Sequence, residues 1–107
     1  MHRFSIDLPS AWQLDEVPQP VLDRLLAKAT EAGATVNLGP RAGTGFMETP
    51  LGPVELSYEL ENPRMWFTIS QKPMLVPNSM IETGIRNGAE KYFREFPDGL
   101  SALSAQA

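Results

Sequence analysis

The sequence predicts an α+β domain: an antiparallel sheet of about five strands in the order β-α-β-β-β-β-α, with two helices packed on one face. Three observations predict it. Strict alternation of apolar and polar residues marks the first segment and two consecutive segments in the middle. Two stretches with helical apolar spacing flank that middle. Short connections between the later strands then require antiparallel pairing, because a parallel pair needs a long crossover.

The first segment alternates Phe4, Ile6 and Leu8 with Arg3, Ser5 and Asp7, a half-buried strand ended by Pro9. Pro18-Gln19-Pro20 suits the first turn of a helix, where an amide lacks a partner anyway, and the acidic Asp15-Glu16 pair favours the positive end of the helix dipole. From there Val21, Leu22, Leu25, Leu26 and Ala29 form one apolar stripe, and Gly33 supplies the left-handed stop. Ala34 to Leu38 reads as a short strand. Gly39 to Gly45 is too rich in glycine to be regular, and Phe46 to Thr49 resumes as a strand before a turn at Pro50 to Pro53.

The next two strands carry the strongest pattern. Val54, Leu56, Tyr58 and Leu60 alternate with Glu55, Ser57 and Glu59; Met65, Phe67 and Ile69 alternate with Trp66, Thr68 and Ser70. A two-residue turn on Asn62-Pro63 requires positive φ at both positions, which proline cannot adopt, so a four-residue loop from Glu61 to Arg64 is expected. That loop sets Leu60 opposite Met65, Tyr58 opposite Phe67 and Leu56 opposite Ile69. On the other face it pairs Glu59 with Trp66, Ser57 with Thr68 and Glu55 with Ser70. After the irregular Met74-Leu75-Val76, Ser79 and Glu82 have the spacing of a capping box. The helix that follows presents Ile81, Ile85, Ala89, Tyr92 and Phe96, with Phe93 beside them, and Pro97-Asp98-Gly99 stops it. Residues 1–100 are read as a single domain and 101–107 as a frayed tail.

Composition removes several classes of function. At 107 residues, 42% hydrophobic and 21% charged, the chain can bury one core without a staple. There is no cysteine, so thiol chemistry, disulfides and thiolate metal sites are excluded. With no apolar leader and no run approaching a membrane span, a cytoplasmic protein is expected. A net charge of −4 with scattered basic residues argues against nucleic acid. The lone histidine, His2, reads as a frayed terminal side chain and offers neither a catalytic triad nor a zinc site. The carboxylates are numerous, but nothing in their spacing pairs them for acid–base work; Glu55 and Glu59, for example, are too far apart along a strand to share a proton. No catalytic residue, metal site or cofactor is assigned, and the reading leans away from an enzyme without deciding the question.

The remaining candidates are surfaces. Gly84 and Gly88 lie four apart inside a helix, where each costs about 1 kcal/mol against alanine. Close backbone approach is the expected reason, either to the sheet over Tyr58 or Phe67 or to a twin helix across a dimer axis. Trp66 faces outward in the expected register, a residue type enriched at binding hot spots, and Trp12 could fold over the same open face. Tyr58, Phe67, Ile85 and Phe93 would close an apolar pocket between the sheet and the last helix. Met47, Met65, Met74 and Met80, placed in or beside the core, would make that interior adaptable. Arg41, Gly43 and Gly45 could form an anion-binding nest, although the loop lacks the ending of a phosphate-binding loop and leads into a strand.

In layout the chain resembles the small proteins encoded with bacterial polyhydroxyalkanoate (granule-region) systems. The matching pieces are Gly52-Pro53-Val54-Glu55-Leu56, Met74-Leu75-Val76-Pro77, and Ile81 with Ile85. The two helical glycines and Gly43-Thr44-Gly45 depart from that pattern, and no functional residue is carried over. The resemblance implies a granule-associated accessory protein. The residues themselves point to a non-enzymatic interaction or accessory protein, a homodimer in one version, with a binding module for a small apolar ligand as the alternative.

Overall fold

A computed structural model describes residues 2–13 and 15–99; Leu14 and the expected frayed tail lie outside the described residues. The order is β1 (His2–Asp7), a 3-10 turn (Ser10–Trp12), α1 (Gln19–Glu31), β2 (Thr35–Leu38), β3 (Ala42–Thr49), β4 (Gly52–Glu61), β5 (Arg64–Gln71) and α2 (Asn78–Glu95). The five strands form one antiparallel sheet in the spatial order β1-β5-β4-β3-β2. Strands β2 to β5 are a meander. The connection through α1 carries the chain from β1 at one edge to β2 at the other.

The central register is the one the alternation predicts. Leu56 pairs with Ile69, Tyr58 with Phe67 and Leu60 with Met65, while Glu59 and Ser57 meet Trp66 and Thr68 on the other face. Two details differ. Glu55 pairs with Gln71 across an irregularity beside Leu56, yet Ser70 still reaches it: its Oγ lies 3.2 Å from the Glu55 carboxylate. The β4–β5 turn is two residues long, Asn62-Pro63, with a cis bond between them. A cis proline at the third turn position needs no positive φ, so the steric objection to a short turn does not apply.

Strand β3 begins at Ala42, earlier than expected. Gly43 and Gly45 belong to the ladder opposite Tyr58 and Leu56, and Phe46 faces the open side opposite Glu55. Gly43 has a steric reason to be glycine: a Cβ there would sit 2.6 Å from a ring carbon of Tyr58 and 2.7 Å from the Asn37 carbonyl. The Tyr58 ring lies across this gap and donates its hydroxyl to the Gly39 carbonyl at 2.5 Å. Burial pushes the phenol above its ordinary pKa, so it stays protonated and able to donate.

Pro18 precedes α1 with Pro20 in its first turn, and Gly33 at φ +83° follows its end. Asp15 and Glu16 fall outside that first turn, and Glu16 pairs with Arg41 instead at 3.6 Å. Helix α2 begins at Asn78, one residue before the expected cap, and no side-chain cap forms. Ser79 is therefore inside the helix. Glu82 instead turns to His2, whose Nε2 lies 3.0 Å from its Oε1, and accepts a hydrogen bond from Arg86 at 3.3 Å. His2 is thus not a loose end. It shares the helix-side face with Phe4 and ties β1 to α2, and that contact holds Glu82 below the ordinary carboxylate range, Arg86 adding to the effect.

The core comes in two parts. Phe4, Ile6 and Ile69 are buried under α2, with Ile81, Ile85 and Ala89 packed against them. Trp12, Val17, Val21, Leu22 and Phe96 form the second part around α1. Phe93 touches both and meets Trp12 edge-on at 5.2 Å between ring centroids. Met74 and Met80, expected in or beside the core, are exposed. No helix among the described residues is long and apolar enough to cross a membrane.

Candidate functional site: an apolar cleft between the helices

Both helices cover the apolar face of the sheet, but each packs toward an edge: α1 along β2, α2 along β1. The central strands, which carry the most regular apolar alternation, therefore lie under the space between them. That space is a cleft of about 460 Å³. Its floor includes Tyr58 and Leu60 of β4 with Met65 and Phe67 of β5, and its walls include Leu25 of α1 and Ile85 of α2.

Among the described residues that line it, only Trp12, Tyr58 and Tyr92 have side chains that carry an oxygen or nitrogen. The Tyr58 hydroxyl is committed to Gly39. The Trp12 indole is buried and its N–H has no partner among the described residues. The lining is thus close to a pure hydrocarbon surface with very few hydrogen-bonding groups. A cavity of a few hundred Å³ with such a lining has the dimensions of a small-molecule site. Leu25, 37% exposed, and the neighbouring Leu26, 46% exposed, show that the α1 side is incompletely covered.

All four residues expected to close an apolar pocket, Tyr58, Phe67, Ile85 and Phe93, line this cleft. Gly84 and Gly88 line it too, which corrects one of the two expected reasons for them, tight packing on the sheet. Outside the helix's own backbone, a Cβ built on either glycine meets nothing within 4 Å among the described residues, so neither is a point of close approach to the sheet. They leave the helix backbone bare where it faces the cleft.

The candidate interface residues do not form one surface. Gly84 and Gly88 face the cleft, and Trp12 is buried on the same side. Trp66 is on the opposite face of the sheet, beneath the Arg3 guanidinium, whose carbon lies 4.0 Å from the ring centroid. Trp12 therefore cannot fold over the open face. The anion nest is not built either, because Gly43 and Gly45 are strand residues and Arg41 faces Glu16. Among the described residues no three His, Cys, Asp or Glu side chains come together as a metal cluster.

The α1 wall of the cleft was invisible as a site in sequence because Val21, Leu22 and Leu25 have the spacing of any buried helix stripe. The His2–Glu82 contact spans eighty positions, and no local pattern signals it. Comparison of the chain with protein-family models, with curated proteins and with solved structures finds no match.

Proposed function

We infer that the protein is a non-enzymatic binding module that holds one small apolar molecule in the cleft between the sheet and the two helices. The observation that carries this reading is the cleft itself: 460 Å³ of space over the central strands, walled almost wholly by hydrocarbon. Apolar surface left in water costs about 25 cal/mol per Å², so an apolar occupant of matching size gains by entering. Gly84 and Gly88 support the same reading. They sacrifice helix stability at the two positions where side chains would narrow the cleft, and no neighbour among the described residues requires their small size. With few polar atoms in the lining, selection rests on shape and size. A hydroxyalkanoate oligomer, the class suggested by the granule-region resemblance, belongs among the candidates, and a cytosolic setting is part of this proposal.

Native mass spectrometry of the purified protein, followed by titration with decanol and with a hydroxybutyrate oligomer, tests the reading. One apolar molecule bound per chain is expected, with Gly84→Leu and Gly88→Leu each weakening binding while leaving the fold intact. If the chain instead runs as a dimer whose α2 and β4 amides are protected from hydrogen exchange, a second copy is the occupant and the ligand reading fails.

A further inference from the structure

The opposite face of the sheet carries a second, independent feature. The register aligns five polar side chains in one straight row across all five strands: Arg3 pairs with Thr68, Thr68 with Ser57, Ser57 with Thr44, and Thr44 with Asn37. The three central members are small hydroxyl residues, so the row is a trough. It forms a concavity of about 420 Å³, with Trp66 and Glu59 standing beside it in the next row. Four interstrand spacings of ~4.8 Å make the row roughly 19 Å long. Among the described residues, no side chain in the row has a hydrogen bond or ion-pair partner, so each hydroxyl offers a donor and acceptors to an incoming group. At the Arg3 end, the guanidinium stacked on Trp66 makes a flat wall.

We propose that this trough binds a linear, neutral oligosaccharide lying across the strands, its hydroxyls on the Arg3–Thr68–Ser57–Thr44–Asn37 row and a C–H face of one sugar against the wall made by the Arg3 guanidinium stacked on Trp66. The chemistry selects that class. An apolar ligand would leave the hydroxyl row unpaired. A polyanion would meet one arginine, the facing Glu59 and a chain of net charge −4. A sugar chain offers alternating hydroxyls and C–H patches, and one pyranose ring is about as long as the distance between adjacent strands. The site does not depend on the apolar cleft, which lies on the other side of the sheet.

The test is a two-dimensional NMR titration of the intact protein with maltotetraose, cellotetraose and chitotetraose, each to about 10 mM, a range suited to a weak millimolar site. At least one tetrasaccharide should give saturable shifts at Thr44, Ser57, Thr68 and the Trp66 indole, with Phe67 and Ile85 unmoved. Trp66→Ala should weaken that binding by about ten-fold or more, which corresponds to ~1.4 kcal/mol. Thr68→Val, which keeps the volume and removes only the hydroxyl, should weaken it by a smaller factor with thermal unfolding unchanged. The absence of saturable shifts with all three sugars overturns the proposal. So does full affinity retained in both variants, or shifts confined to the cleft.

Discussion

Replacing Gly84 and Gly88 together with alanine separates an open cleft from a close helix contact by the sign of one measurement. Both glycines sit inside α2 with ordinary helical backbone, since the positive-φ glycines are Gly33, Gly52 and Gly99. Outside the helix's own backbone, a methyl at either position meets no atom within 4 Å among the described residues. The substitution therefore brings no steric cost and recovers helix propensity of about 0.8–1 kcal/mol per site, or roughly 2 kcal/mol for the pair. At ~2.1 cal/mol/K per residue, the unfolding entropy of a 107-residue chain is about 0.22 kcal/mol/K, so the melting temperature should rise by roughly 9 °C. Circular dichroism melts of the native protein and the double variant, in the absence of added ligand, read this directly. A fall in melting temperature would mean that something already presses on α2 at these positions, and the cleft as described would not exist in solution.

Three further outcomes follow from single contacts. Gly99→Ala should lower stability by about 1–3 kcal/mol in urea unfolding, because φ there is +76° and a Cβ would collide with the Ala11 carbonyl oxygen; an unchanged midpoint would detach the chain after α2 from the 3-10 turn. Glu82 titrates below the ordinary glutamate range when folded, so its stabilisation is complete above about pH 4.3, its unfolded value, and disappears as pH falls through the lower folded value. Urea midpoints of Glu82→Gln and the native protein should accordingly differ by a constant amount near neutrality and converge in acid; parallel curves down to pH 3 would contradict the His2 contact. Tyr58→Phe removes the hydroxyl donated to Gly39 and should cost about 1 kcal/mol, with the β2–β3 turn amides exchanging faster by NMR.

The sheet was legible in the sequence wherever one face is wet and the other dry. Leu56, Tyr58 and Leu60 could be matched to Ile69, Phe67 and Met65 because a slip of one residue would turn every apolar side chain outward. The pattern failed where glycine breaks it. Gly43 and Gly45 contribute no side chain to the alternation, so the first half of β3 read as a loop, although a missing side chain is what the overlying Tyr58 ring requires. The capping box failed for another reason. Ser79 and Glu82 have the right spacing, but the helix starts one residue earlier and the Glu82 carboxylate has a stronger partner in His2. Long-range pairing overrode a local motif.

Periodicity identifies which side of a helix is apolar but carries no information about how far that side stands from the sheet. The stripes of α1 and α2 were both readable, and both were expected to pack on the apolar face. The connections decide where on that face they lie: α1 must carry the chain to the far edge at β2, and α2 is held at the near edge by Phe4, Ile6 and the His2–Glu82 contact. Two helices anchored at opposite edges leave the centre of a five-stranded sheet between them. Large side chains on α2 could have bridged the gap, and the chain places Gly84 and Gly88 there instead. A sequence selected for stability alone would fill those positions, since filling them is expected to add stability without strain. Retained openness at a stability cost is what the proposed binding role asks of these positions, since stabilising changes commonly cost function, and it makes the same two substitutions a test of that proposal as well as of the fold: on it, the variant that melts higher should also bind an added apolar ligand less well.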